Sequence, residues 1–287
     1  MSPKTNEVVE RFNHTVMKEA KKMDEKTEKR NLPIGFMDSG LGGLSVLREA
    51  VKIMPSEDFI YYGDSLHSPY GTKEQEVIRR LTFQVVEKLL DQGIKGLAVA
   101  CNTATSAAVR QLRSTYPKLP IVGIEPAIKP AVLSSHGGRI LVLATPMTIR
   151  QEKFHRLLNL YQDQAEIIPI PCEGLMEFVE QGNLDGEGLD LYFEDHLTPW
   201  LSEDTEAIVL GCTHYPFLKP QLKLFLGDKK LQIIDGSIGT SMELKRQLEK
   251  QGLLRQEDRQ GKIVIQNSSD KQELIDLSWK LLKLTID

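Results

Sequence analysis

The stretch GLAVACNTAT, residues 96–105, places an apolar run directly before a cysteine, an asparagine and a threonine. The apolar part has the composition of a buried strand in a parallel sheet, and the residues after it have the pattern of a helix. Ligands bind at the carboxyl ends of such strands. Cys101 is therefore either a small core residue or a reactive group at the mouth of a sheet, and the stretch alone is compatible with both.

A second stretch repeats this design. AIVLGCTH, residues 207–214, again ends an apolar run on a cysteine that hydrogen-bonding residues follow. Two further runs, IGFMDSG at 34–40 and ILVLATP at 140–146, also correspond to each other. The repetition predicts two related α/β halves, each with a cysteine at the carboxyl end of a strand. If the halves face one another, both thiols point into one cleft.

Short apolar runs alternate with longer amphipathic segments from residue 33 onward. This alternation predicts βαβ units and mainly parallel sheets, which is an α/β fold. The predicted strands are Ile34–Met37, Phe59–Tyr62, Gly96–Ala100, Ile121–Ile124, Ile140–Ala144, Glu166–Pro169, Ala207–Leu210 and Leu231–Ile234. The clearest predicted helices are Lys73–Asp91, Ala104–Thr115, Thr148–Tyr161 and Pro216–Leu226.

The composition is that of an ordinary globular protein, with 287 residues of which 40% are hydrophobic and 26% charged. The net charge of −4, without a long basic stripe, argues against nucleic acid as a partner. The 3 widely separated cysteines predict a reduced, cytoplasmic compartment rather than a disulfide framework. No apolar run approaches the roughly 20 residues of a membrane span, so we expect no membrane partner.

Residues 1–31 differ from the rest of the chain because they are rich in charge and contain no glycine. Apolar residues recur there at helical spacing and form one narrow stripe. We predict an added N-terminal helix that packs on the body of the protein or on a partner, with a partly frayed tail as the alternative. The residues of the stripe are Val9, Phe12, Val16, Ala20 and Met23.

The segment MDSGLGG, residues 37–43, forms a glycine-rich stretch after a predicted strand. It lacks the dinucleotide-binding fingerprint GxGxxG because Ser45 stands where the third glycine belongs. We predict instead a tight turn at a helix N-terminus, which presents Asp38 and Ser39 and offers backbone N–H groups to an anion. A simple helix cap is the alternative for Asp38.

The segment SPYGTKE, residues 68–74, contains the turn residues Pro69 and Gly71. These predict an exposed loop that carries Tyr70. An ordinary loop without a functional role contains the same turn residues, so the segment by itself indicates no chemistry.

Cys101 and Cys212 leave three chemistries open. With His214 they supply three candidate ligands for a metal ion, although no fourth is evident. One cysteine with His214 as its base is the pattern of a thiol nucleophile. Both cysteines together suit two-base proton transfer, in which a thiolate removes a proton from one face of a carbon and the other thiol returns one to the opposite face. Cys172 has no matching partner, and we assign it to packing.

Five motifs occur in an order and spacing that resemble the glutamate racemases of the aspartate/glutamate racemase superfamily: FMDSGLGG, SPYG, ACNTAT, GIEPAIKPA and LGCTHYP. The resemblance runs from about Ile34 to the C-terminus. It implies two pseudo-symmetric α/β domains with the active site in the cleft between them. It also implies interconversion of L- and D-glutamate without a cofactor or a metal, which supplies D-glutamate for peptidoglycan.

The resemblance also assigns roles to residues of this sequence. Cys101 becomes the acid/base on the D-glutamate side and Cys212 that on the L side, with Asp38 assisting Cys101 and His214 assisting Cys212. Glu180 matches a further carboxylate near the second thiol. The implied substrate-binding residues are Asp38, Ser39, Tyr70, Gly71, Asn102, Thr103, Thr148, Thr213 and His214. Helices that follow the two cysteines are expected to favour the thiolate through their dipoles.

The predicted domains follow from the same resemblance. The first consists of residues 32–126 together with a returning segment, 236–287, and the second of residues 127–235. We expect a homodimer, and a regulatory ligand at the N-terminal extension, because some family members with such an extension respond to a peptidoglycan precursor. Some members also bind DNA gyrase.

Three other functions stay open on the sequence. An aspartate racemase would use the same chemistry, but such relatives carry a glutamate where this chain has His214. A cysteine-dependent hydrolase would use Cys101 and His214 and leave Cys212 without a role. A binding module without catalysis is the third.

Overall fold

The computed structural model describes residues 27–286. Residues 27–31 are helical and lead into the first strand. The apolar stripe of the predicted N-terminal helix lies outside the described residues. Between residues 27 and 286, no helix combines the length and the apolarity that crossing a bilayer requires.

Nine strands form two parallel sheets within the described residues. All eight predicted strands are confirmed to within two residues at each end. The ninth was missed because it is an edge strand with only three consecutive apolar residues, one of them the exposed Val264. The strands are β1 (Ile34–Asp38), β2 (Phe59–Gly63), β3 (Gly96–Val99), β4 (Ile121–Gly123), β5 (Arg139–Ala144), β6 (Glu166–Pro171), β7 (Thr205–Leu210), β8 (Gln232–Asp235) and β9 (Ile263–Asn267).

Helices connect the strands and cover both sheets. The predicted helix Thr148–Tyr161 is two helices, because Gln151 has an extended backbone and separates them. The α-helices are α1 (Leu44–Ile53), α2 (Gln75–Asp91), α3 (Asn102–Thr115), α4 (Ile128–Ser134), α5 (Pro146–Arg150), α6 (Glu152–Asn159), α7 (Leu175–Glu180), α8 (Glu187–Leu197), α9 (Lys219–Leu226), α10 (Ser237–Lys250) and α11 (Gln272–Lys283). Short 3₁₀ helices cover Ser65–His67, Tyr70–Thr72 and Tyr215–Leu218.

The two sheets have the same strand order. The first reads β2-β1-β3-β4, with β9 added outside β2, and the second reads β6-β5-β7-β8. Strands β3 and β7 are therefore equivalent, and one of the two candidate cysteines follows each of them. In such sheets the chain leaves β1 and β3 in opposite directions, which opens a crevice at their carboxyl ends. The residue boundaries predicted for the two domains stay a prediction.

The largest core cluster contains side chains from both halves. Phe36 of β1, Leu143 of β5 and Leu210 of β7 all belong to it. Two smaller clusters cover the other faces of the two sheets. Because the halves share a continuous apolar core, the carboxyl ends of their central strands are held close to one another.

Candidate active site

The turn after β1 packs its backbone against the second half of the molecule. Asp38 ends β1 fully buried, and the Gly40 N–H donates to its Oδ2 at 3.1 Å. Burial raises the pKa of Asp38, and the nearby His214 offsets this only in part. The carboxyl group is thus a turn-stabilising acceptor and not the cap of α1, which begins six residues later without a side-chain cap.

The glycines of this turn permit close approach. A Cβ atom at Gly40 would overlap the carboxylate of Glu180, and one at Gly42 would overlap the imidazole of His214. The anion that the turn binds belongs to the protein itself, since the Leu41 N–H donates to Glu180 Oε1 at 2.8 Å. The sequence predicted that backbone N–H groups of this turn bind an anion. One of them binds the carboxylate of Glu180, which is part of the protein itself.

Cys101 lies at the carboxyl end of β3, where it caps α3. Its Sγ accepts from the Ala104 N–H at 3.4 Å and donates to Ser39 Oγ at 3.5 Å. Burial first, and the Asp38 carboxyl second, raise the pKa of Cys101 to about 12. The N-terminus of α3 acts in the expected direction, since the Ala104 N–H lowers the pKa of Cys101, but desolvation and a neighbouring carboxylate outweigh it.

Cys212 lies at the equivalent end of β7 and has a cationic neighbour. His214 Nδ1 is 3.6 Å from Cys212 Sγ, and His214 Nε2 is 2.7 Å from Glu180 Oε1. Burial alone would lower the pKa of His214, but its contacts with Cys212 and Glu180 raise it well above the usual value. Burial would raise the pKa of Glu180, but His214 and the Leu41 N–H lower it. Both shifts favour an imidazolium paired with a carboxylate, and the Gly42 N–H also lies 3.1 Å from His214 Nε2.

The two thiols belong to one electrostatic cluster. Cys212 contributes to the raised pKa of Cys101, and Asp38 interacts with both Cys101 and His214. The Thr213 hydroxyl donates to Asp38 Oδ1 at 3.5 Å and so joins the two motifs directly. The structure therefore brings together the five residues predicted to be catalytic, namely Asp38, Cys101, Glu180, Cys212 and His214.

Of the predicted substrate-binding residues, Ser39 and Thr213 contact this cluster directly. Asn102 and Thr103 are buried in the first turn of α3, and Asn102 Oδ1 is buried without a hydrogen-bond partner. Thr148 is buried in α5, with its hydroxyl 3.0 Å from that of Thr145. Asn102 and Thr148 line one small cavity, and Gly71 lines another together with Thr145.

Tyr70 is a correction to the sequence analysis. The turn was predicted to expose it, but its side chain is only 1% exposed. The hydroxyl donates to Asp64 Oδ2 at 2.7 Å, which ties the turn to the end of β2. The Tyr70 hydroxyl is therefore already engaged inside the protein.

Cys172 is buried in the large core cluster, where its Sγ donates to the Ile170 carbonyl at 3.5 Å. Within residues 27–286, no three His, Cys, Asp or Glu side chains are arranged to hold a metal ion. Both ring nitrogens of His214 are engaged by Cys212 and Glu180. The pairing of His214 with Cys101 that a cysteine hydrolase needs is therefore not formed among the described side chains.

Comparison with known proteins shows the family. The sequence profile of the Asp/Glu/Hydantoin racemases matches residues 34–238. The chain belongs to this family. A glutamate racemase from Clostridium botulinum (strain Langeland) is 51% identical to this racemase over 252 residues, which are 88% of this chain and 97% of that relative.

Solved structures of family members have the same fold as this racemase. The crystal structure of the Francisella tularensis glutamate racemase in complex with D-glutamate has a TM-score of 0.77 at 27% identity, covering 90% of this chain and 96% of that one. A glutamate racemase isoform from Bacillus anthracis has a TM-score of 0.80 at 29% identity, with coverage of 90% and 96%.

Three polar residues that the sequence analysis did not select also support the site of this racemase. Asp64 holds Tyr70, the Ser45 hydroxyl donates to the Thr213 carbonyl at 2.8 Å, and the Tyr61 hydroxyl donates to the Gly40 carbonyl at 2.7 Å. Each acts on a residue of another element. The sequence analysis mentioned only Ser45, as the residue at the third-glycine position. The sequence around each of the three residues does not indicate which residue it will contact.

Proposed function

We propose that this racemase interconverts L- and D-glutamate by transferring the Cα proton between Cys101 and Cys212, without a cofactor. The observation that carries the proposal is the pair of buried thiols at equivalent strand ends of the two halves, within one electrostatic cluster. The choice of glutamate is supported by the curated relatives at up to 51% identity.

The two thiols differ in the way that two-base catalysis requires. The Cα proton of an amino acid is a very weak acid, so the base must be a thiolate, and the acid on the opposite face must still carry its proton. With a pKa of about 12, Cys101 is protonated at neutral pH. Cys212 instead has the His214 imidazole 3.6 Å from its sulfur, a neighbour that Cys101 lacks.

In the direction from L to D, the Cys212 thiolate removes the Cα proton and the electron pair stays on Cα. The Cys101 S–H then delivers its proton to the opposite face, which leaves a Cys101 thiolate and a Cys212 thiol. For the next turnover in this direction the Cys212 thiol loses a proton and the Cys101 thiolate gains one. Starting from D-glutamate, the same steps run in reverse.

Substrate recognition is proposed for the polar side chains around the thiols. The buried, unpartnered Oδ1 of Asn102 needs a donor, and the substrate ammonium group supplies one. The hydroxyls of Ser39, Thr103 and Thr148 and the backbone at Tyr70 and Gly71 are donors for the two carboxylates. The Thr213 hydroxyl joins them when it exchanges Asp38 Oδ1, 3.5 Å away, for a substrate oxygen. Hydrogen bonds to the α-carboxylate also stabilise the negative charge that develops as the proton leaves.

The test is an assay of the purified protein by circular dichroism, with L-glutamate, D-glutamate and L-aspartate as separate substrates in D₂O. We expect both glutamate enantiomers to reach a racemic mixture and to acquire deuterium at Cα, and we expect L-aspartate to remain unchanged. Racemisation of aspartate instead would indicate an aspartate racemase. A stable acyl-enzyme without inversion would indicate a hydrolase, and inversion without deuterium uptake would contradict proton transfer.

The biological role and the assembly are part of the same proposal. Supply of D-glutamate for peptidoglycan is supported by the family resemblance, and rescue of a D-glutamate auxotroph by this chain tests it. Light scattering with and without residues 1–31 tests the proposed homodimer. Racemisation by the same two proteins, measured with and without peptidoglycan precursors, tests the proposed regulatory ligand.

A further inference from the structure

A continuous hydrogen-bonded path runs from the first sheet to Cys212. It begins at Tyr61 of β2, whose fully buried hydroxyl donates to the Gly40 carbonyl at 2.7 Å. The Gly40 carbonyl and the Leu41 N–H belong to one peptide group, and that N–H donates to Glu180 Oε1 at 2.8 Å. Because the peptide group is planar, fixing its oxygen also fixes the direction of its N–H.

The path continues in the second half of the molecule. Glu180 Oε1 accepts from His214 Nε2 at 2.7 Å, and His214 Nδ1 is 3.6 Å from Cys212 Sγ. Each member orients the next, and hydrogen bonds in such a chain polarise one another. The peptide between Gly40 and Leu41 carries this path from one half to the other, and the next N–H of the same turn, that of Gly42, lies 3.1 Å from His214 Nε2.

The Tyr61 hydroxyl can act only as a donor to this peptide. Burial, followed by the charges of Asp38, Glu180 and Cys101, raises its pKa well above the usual value, so it keeps its proton. A donor on the carbonyl oxygen makes the N–H of the same peptide a stronger donor to the Glu180 carboxylate. Gly63 confines the carbonyl from another side, since a Cβ there would lie 2.5 Å from the oxygen.

We propose that Tyr61 is a positioning residue for the Cys212 side of the reaction. It holds the Gly40–Leu41 peptide so that the N–H fixes Glu180, which in turn holds the His214 ring in line with Cys212. This role rests on the proposed two-cysteine function. It connects a tyrosine of the first sheet to the proposed base of the second.

The charged and titratable groups around the path define what a pH profile reports. Glu180 is faced by His214 and Asp38, and His214 by Cys212, Glu180 and Asp38. Weakening the hydrogen bond from the Leu41 N–H to Glu180 raises the pKa of Glu180. The acid limb of the pH profile of kcat therefore moves to higher pH. A less anionic Glu180 holds the His214 proton less tightly, so the alkaline limb moves to lower pH.

The test compares Tyr61→Phe with Tyr62→Phe. Both remove one hydroxyl from neighbouring buried residues of β2, but the Tyr62 hydroxyl lies on the other face of the sheet and accepts from Lys88 Nζ at 2.9 Å. For Tyr61→Phe we expect kcat to fall by roughly three- to tenfold, which is the net value of one hydrogen bond, with little change in KM. We also expect a narrower pH profile and a larger isotope effect on L-glutamate deuterated at Cα. Tyr62→Phe should match the wild type in all of these measurements.

A reduced kcat with both pH limbs and the isotope effect unchanged would overturn the proposal, because it would show a purely structural role. If Tyr61→Phe fails to fold, Gly63→Ala displaces the same carbonyl from another side and should narrow the profile in the same way. If a folded Gly63→Ala protein keeps both limbs of the pH profile at their wild-type positions, the proposal is overturned in the same way. Failure of the wild type itself to exchange Cα hydrogen with solvent would instead refute the proposed function.

Discussion

The two cysteines occupy equivalent positions in two sheets of the same strand order, yet their surroundings carry opposite charge. Cys101 is buried next to the Asp38 carboxyl, which with desolvation raises its pKa to about 12. Cys212 has the cationic His214 beside it, and Glu180 holds that cation in place. The repeated fold supplies two matched positions, and the charged neighbours of the two thiols differ.

This difference arises from the elements that surround each strand end. The carboxyl group beside Cys101 is that of Asp38, which lies in the same half at the end of β1. The second motif takes its imidazole from the residues just after β7 and its carboxylate from the end of α7. The glycine turn after β1 touches both sets of residues, so the asymmetry is built where the halves meet.

The largest expected effect comes from removing either thiol. Because a positioned acid or base contributes about 10²–10⁴-fold, we expect Cys101→Ala and Cys212→Ala each to lower racemisation by at least about a hundredfold. In D₂O the two variants should differ: Cys101→Ala should exchange the Cα hydrogen of L-glutamate alone, and Cys212→Ala that of D-glutamate alone. Mass spectrometry of each enantiomer measures this.

Cys172→Ala is the matched control, because this third buried cysteine packs in the core. It should retain most of the activity. Near-normal turnover by either Cys101→Ala or Cys212→Ala would contradict the two-base proposal, and exchange on the opposite enantiomers would reverse the assignment of sides.

A smaller effect is expected from removing the charge behind His214. In Glu180→Gln, His214 loses its anionic partner, and its pKa falls from its raised value. An imidazolium is present below that pKa and lost as the pH rises through it, so the alkaline limb of kcat/KM should shift to lower pH. A charge-assisted hydrogen bond is worth about 1.5–3 kcal/mol, so kcat/KM should fall roughly 10- to 100-fold.

Glu177→Gln makes the same change on the exposed side of α7 and should leave the pH profile unaltered. An alkaline limb that stays in place in Glu180→Gln would show that His214 does not depend on this carboxylate. The contrast between the two thiols would then have to rest on Asp38 alone.

Much of this arrangement was predictable from the sequence, for a physical reason. Buried parallel strands are continuous apolar runs, so segments such as Gly96–Val99 could be recognised, and repetition singled out both cysteines. The exposed edge strand β9 has no such signal. The Pro69–Gly71 turn was recognisable, but its burial depends on Asp64, which lies in another element. The protonation of Cys101 likewise depends on burial and on Asp38, which only the tertiary structure brings together.

The mildest expected effect tests the contact between the halves. A Cβ at Gly42 would overlap the His214 imidazole, so Gly42→Ala must displace either the turn or the ring. Overpacking of this kind costs about 1–3 kcal/mol, and we expect a lower thermal unfolding midpoint with about a tenfold loss of kcat. Gly239→Ala is the matched control, because a Cβ in that turn of α10 meets no neighbour within 4 Å. Since alanine is favoured over glycine in helices by about 0.5–1 kcal/mol, it should stabilise the protein slightly and preserve activity. If Gly42→Ala keeps full activity and an unshifted pH profile, the close approach of this turn is not what holds His214 beside Cys212.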